Sequence, residues 1–150
     1  MIRITTLLLI ILISSSCTEQ APTLFKLLPA EETGVDFRND IFENREYNIL
    51  NFSYLYNGGG VSVGDFDKNG YADLFFTGNM VNNALYLNKG DWKFEDMTEI
   101  AGVESAGKWT YGSAVVDINH DGWLDLYVCA SIAGTEEARR NVLYYKSGPK

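Results

Sequence analysis

Two short stretches carry residue types whose spacing points to chemistry. The first is GDFDKNGYADL, Gly64 to Leu74. It sets side-chain oxygens at Asp65, Asp67 and Asn69, a glycine at Gly70 and a further carboxylate at Asp73. Two carboxylates about 5 Å apart repel by roughly 3 kcal/mol at an effective dielectric near 20, so a turn this acidic calls for a cation. With Asp65 as position 1, the oxygens fall at positions 1, 3, 5 and 9, and the glycine at position 6. Alternate oxygens around a glycine let one loop wrap hard ligands about Ca²⁺, and position 7 adds its backbone carbonyl. Here that carbonyl belongs to Tyr71. An all-oxygen donor set favours Ca²⁺ over zinc or copper.

The second stretch, DINHDGWLD, repeats the pattern with Asp117, Asn119, Asp121, Gly122, the carbonyl of Trp123, and Asp125. Neither stretch is an EF-hand. Position 12, where that motif needs a glutamate, holds Phe76 and Val128, and strand-like sequence flanks both loops. The opposing reading is a metal-free polar hairpin turn, because Asp, Asn and Gly make such turns unaided. Two copies in register, each keeping four oxygen side chains and the glycine, favour two structural calcium sites. Extracellular modules often bind Ca²⁺ at about 10⁻⁴–10⁻³ M. At about 1 mM calcium that affinity adds roughly 0.4–1.4 kcal/mol per site. Such an ion is a staple for a turn, not a centre for reaction.

An internal repeat supplies the elements that must position these loops. GVSVGDFDKNGYADLFFT from Gly60 aligns without gaps to GSAVVDINHDGWLDLYVC from Gly112, an offset of 52. NALYLNKG from Asn83 recurs as NVLYYKSG from Asn141, after extra residues around GTEEARR. A fainter pair joins FKLLPAEETGV from Phe25 to FEDMTEIAGV from Phe94. Branched and aromatic residues flank each loop, as strands prefer. ILNFSYLYNGGG alternates aromatic with other residues and stops at three glycines, a turn signal. No helix is expected beyond a turn in GTEEARR.

Repeats near 50 residues with a few short strands each indicate propeller blades, of which a propeller has about 4–8. The expectation is an all-β chain holding about two blades, truncated before closure. Residues 25–150 would form an incomplete repeat domain, with loops at 65–73 and 117–125. A non-functional truncated product, or an incomplete reading of a longer gene, is the alternative.

The N-terminus reads differently. MIRITTLLLIILISSS has a positive start, an apolar run from Leu7 to Ile13 and three serines before Cys17. Seven apolar residues do not span a bilayer, which takes about 20, so residues 1–16 fit a cleaved signal. A cysteine after small residues resembles a bacterial lipoprotein signal, with Cys17 lipidated and 17–24 a linker. Plain secretion and an uncleaved anchor are the alternatives. Cys129, in LDLYVCAS, reads as a buried structural thiol. The net charge of −8 argues against nucleic-acid binding, while 46% hydrophobic residues supply a core.

DFDKNGYADL and DINHDGWLDL resemble the calcium loops of FG-GAP/VCBS repeats of integrin-type β-propellers. NALYLNKGDWKFEDMTEIAGV resembles the connecting phrase of bacterial VCBS-repeat proteins associated with ASPIC/UnbV domains. GVDFRNDIFENREYNILNFSYLYNGGGVSVGDF is similar to the start of their Bacteroidetes lipoprotein branch. The resemblance implies an extracytoplasmic propeller with structural calcium and no established catalysis in its repeats, acting in binding or adhesion. An outer-membrane position through the lipid anchor alone follows by analogy, Thr18 after Cys17 favouring it.

A glycan or a surface protein is the expected partner, with Tyr54, Tyr56, Trp92 and Trp109 as aromatic platforms or, alternatively, packing residues. The competing function is a polysaccharide-processing enzyme component. That role needs paired carboxylates across a cleft or an acid–base histidine. The closest acidic clusters are committed to the loops, so catalysis would be carried elsewhere in a full-length protein.

Overall fold

The structure, a computed structural model, describes residues 23–131 and 134–148. The leader at 1–16 and Cys17 lie outside the described residues. Seven strands form two antiparallel meanders. The first runs β1 (Val61–Gly64), β2 (Asp73–Phe76), β3 (Ala84–Asn88) and β4 (Phe94–Asp96), each strand beside the next. The second runs β5 (Thr110–Val116), β6 (Asp125–Ala130) and β7 (Val142–Tyr144). Among the described residues the sheets do not close into a barrel, and the all-β architecture of partial, unclosed blades is as expected.

The two acidic stretches are the hairpin connections. Gly64 pairs with Asp73 and Val116 with Asp125, so each turn leaves and rejoins its ladder at equivalent residues. One buried cluster of Phe66, Phe75, Leu85, Val103, Leu126 and Val128 joins the two sheets. Phe75 and Val128 are wholly buried, each contributing about 1.5–3 kcal/mol of hydrophobic stabilisation. Where β1 runs beside β5, the hydroxyls of Ser62 and Ser113 lie 2.7 Å apart. The Thr77 hydroxyl donates to the Tyr111 carbonyl.

The offset of 52 shows which face of each sheet is covered. Phe75 and Thr77 are fully buried, because the second sheet sits on their face. Their counterparts Tyr127 and Cys129 occupy the face of the second sheet that points away from the first. Tyr127 is 40% exposed there. Cys129 is exposed too, which corrects the expectation of a buried thiol. Side chains alternate along a strand, so Val128 is buried while its two neighbours face outward. An apolar run alone could not reveal that.

Two single-turn helices also depart from expectation, α1 (Ala30–Thr33) and α2 (Thr98–Ala101). One turn is too short to display a helical period in sequence. Both occupy the faint third repeat, and each ends on a glycine with left-handed backbone, Gly34 at φ 82° and Gly102 at φ 67°. Such helix ends are common where glycine supplies the positive φ. Each helix leads into a side chain that hydrogen-bonds a tyrosine of a sheet. Asp36 accepts from the Tyr86 hydroxyl at 2.8 Å, and Ser105 meets the Tyr144 hydroxyl at 2.6 Å.

The alternating segment before the glycines is not a strand. Asn44 Oδ1 accepts from the backbone N–H of Glu46 and Tyr47, and Asn48 Oδ1 from Leu50 and Asn51. These side chains turn the chain locally and so compete with a ladder. GTEEARR forms turns, as expected.

Candidate metal sites in the hairpin turns

Each turn is built around its first aspartate. Asp65 Oδ1 accepts from Asn69 N at 3.0 Å and Oδ2 from Gly70 N at 2.9 Å. Asp117 does the same with Asp121 N at 3.1 Å and Gly122 N at 2.8 Å. The third-position oxygens, Asp67 Oδ1 and Asn119 Oδ1, share those donors at 3.2 and 3.3 Å. Asn69 Oδ1 accepts from Tyr71 N, and Asp121 Oδ1 from Trp123 N, both at 2.8 Å. The backbone matches as well. Gly70 and Gly122 have φ of 88° and 83°, and Lys68 and His120 both have φ of 59°. These positive values explain the glycine at position 6.

The ninth-position aspartates are different in kind. Asp73 and Asp125 are completely buried. Asp73 accepts from Phe66 N and Asn88 N, both at 2.7 Å. Asp125 accepts from Ile118 N at 3.1 Å and Lys146 N at 2.8 Å. Each carboxylate thus ties its turn to the far end of the sheet's third strand. Sequence reasoning missed this tie. The recurrence of an Asn-x-Leu-Tyr phrase after each loop was the signal for it.

The carboxylate oxygens of Asp65, Asp67 and Asp73 lie within 4.8 Å of one another. Burial pushes the Asp73 carboxyl above its ordinary range, and the charges of Asp67 and Asp65 push it further, against the pull of the Asn88 and Phe66 N–H groups. A hard divalent cation among these oxygens would remove the repulsion, so the donor set fits Ca²⁺. Nearby positive charge is sparse: Lys89 Nζ is 3.9 Å from Asp67 but closer, at 3.2 Å, to Glu95. In the second turn Asn119 stands where the first has Asp67, and among the described residues it forms no comparable three-carboxylate group. Its Asp121 carboxyl is held below the usual range, chiefly by the Asn119 amide and the Trp123 N–H.

The aromatic candidates separate. Trp109 is buried against Tyr47, Phe52 and Tyr111 and serves packing. Tyr54, Tyr56 and Trp92 are exposed. Among the described residues no helix is long and apolar enough to cross a membrane.

Comparison with known proteins agrees with this geometry. Residues 65–128 match the family described as FG-GAP-like repeat, a span that begins at the first turn and runs through β5 and the second turn into β6. The chain is 35% identical over 72 residues to Cartilage acidic protein 1 of Xenopus tropicalis. It is 38% identical over 72 residues to Cartilage acidic protein 1 of Homo sapiens. Each alignment takes in 47% of this chain and 11% of the relative, so the chain spans only about a tenth of the curated relatives it matches. The span that matches the FG-GAP-like repeat holds both acidic turns.

Proposed function

We propose that the chain is a calcium-stapled, non-catalytic repeat module that acts outside the cytoplasm in binding, adhesion or scaffolding. One observation carries the reading. Two turns at an offset of 52 share the hydrogen bonds their side chains accept from backbone N–H groups, and in the first three carboxylates converge on a point that needs positive charge. Asp65, Asp67, Asn69, the Tyr71 carbonyl and Asp73 would hold one ion. Asp117, Asn119, Asp121, the Trp123 carbonyl and Asp125 would hold a second, again with three carboxylates and one amide. Bound calcium supplies charge neutralisation alone. The chain's own residues do the rest: the buried aspartates fix each turn to its sheet, and the turns set one end of each hairpin.

In this reading the lipidated Cys17 tethers the module to a membrane, and a VCBS-type propeller of the ASPIC/UnbV-associated group is the larger assembly it serves. Tyr54 and Tyr56 lie exposed on the loop before β1 and suit a glycan or a protein surface. Calorimetric titration with Ca²⁺ tests the core of this proposal. Two uptake events, one of them lost in Asp67→Ala and the other in Asp121→Ala, are expected. No heat above dilution at millimolar calcium would overturn it.

A further inference from the structure

The two turns are not independent of each other. Lys68, at the fourth position of the first turn, reaches across to the second. Its Nζ lies 4.0 Å from the centroid of the Trp123 ring. A Cβ placed on Gly122 would stand 3.4 Å from the same nitrogen. Gly122 and Trp123 are positions 6 and 7 of the second turn. The contact therefore brings an ammonium from one turn into the wall of the other. The left-handed backbone at Lys68, φ 59°, directs the side chain there, an uncommon conformation for a non-glycine residue. The fourth position of the second turn is His120, which is exposed. Lys146 adds a second ammonium at 4.5 Å from the ring, from the residue whose N–H holds Asp125.

We infer that Lys68 is a tuning residue for the second turn, a fixed positive charge that lowers that turn's affinity for a divalent cation. The inference rests on the proposed calcium sites and adds a residue of one turn that acts on the other. Cation–π attraction keeps an ammonium against an indole even at an exposed site, so Lys68 stays in place when an ion enters. A monovalent and a divalent cation about 8 Å apart in water repel enough to change affinity roughly sixfold. Physiological salt screens that to about twofold.

The test uses terbium as the probe and tryptophan-sensitised emission as the readout for the second turn, in a Trp92→Phe background. Trp109 does not interfere, because it precedes the seven-residue strand β5 and lies about 20 Å from the turn. Lys68→Gln should tighten terbium binding at the second turn by roughly threefold to sixfold at low ionic strength, shrinking as salt is raised. Lys68→Arg, which keeps both charge and ring contact, should bind as the unaltered protein does. The first turn is read through Tyr71 in an Asp117→Ala variant. Binding at both turns with no change in Lys68→Gln would overturn this inference and leave the calcium sites standing. Equal loss in Lys68→Gln and Lys68→Arg would also overturn it, as a purely structural effect. Absence of emission from either turn of the unaltered protein would overturn the sites and this inference together.

Discussion

Removing Asp73 and removing Asp67 should have opposite signatures, although both are candidate ligands of one ion. Asp73 is fully buried and holds two backbone donors at 2.7 Å. Asp73→Ala strands both N–H groups, one of them in the core, at about 1–3 kcal/mol each. The same change relieves the burial of a charge and its repulsion by Asp65 and Asp67. The net loss should therefore sit near the lower end, about 2 kcal/mol. Asp67 is partly exposed and shares its strongest donor with Asp65. Asp67→Ala should cost below about 0.5 kcal/mol when no ion is present. Added calcium should then stabilise the unaltered chain by roughly 0.4–1.4 kcal/mol per site, and the Asp67 variant by the second turn's share alone. Urea unfolding followed by circular dichroism, in chelator and in excess calcium, reads all four quantities. Equal destabilisation by the two variants in chelator would refute the division between a structural ninth position and a ligating third.

Two further outcomes follow from the repeat's asymmetry. Asn83 is buried, accepts from Gly78 N and the Thr110 hydroxyl, and donates to the Val103 carbonyl. Its counterpart Asn141 is exposed, accepts from Ala130 N and donates to the Tyr127 hydroxyl. Asn83→Ala should lower stability by about 2–4 kcal/mol and Asn141→Ala by under about 1 kcal/mol, read as shifts in urea midpoint. Cys129 should react with a maleimide in the folded chain, whereas a cysteine introduced at Thr77, the buried equivalent, should react only after unfolding. Protection of Cys129 comparable to that at position 77 would show that its face is covered.

The acidic turns were legible because their information is local. Side-chain oxygens at alternate positions around Gly70 and Gly122 lie within nine residues of chain, and strand-forming residues on both sides fix the hairpin that presents them. The offset of 52 was legible for the same reason, since a repeat is a property of the string of residues. Helices α1 and α2 escaped notice because one turn has no period to detect, even though their sequences were already paired.

What tertiary structure alone decided was coverage. Alternation along a strand separates two faces and does not say which one meets another sheet. Phe75 and Tyr127, or Thr77 and Cys129, are equivalent in sequence and differ only because the second sheet lies on one pair and not on the other. Trp109 became a packing residue, and Lys68 reached Trp123, through contacts between segments far apart in the chain. Ligand spacing depends on a few adjacent bonds, whereas burial depends on where remote parts of the chain come to rest.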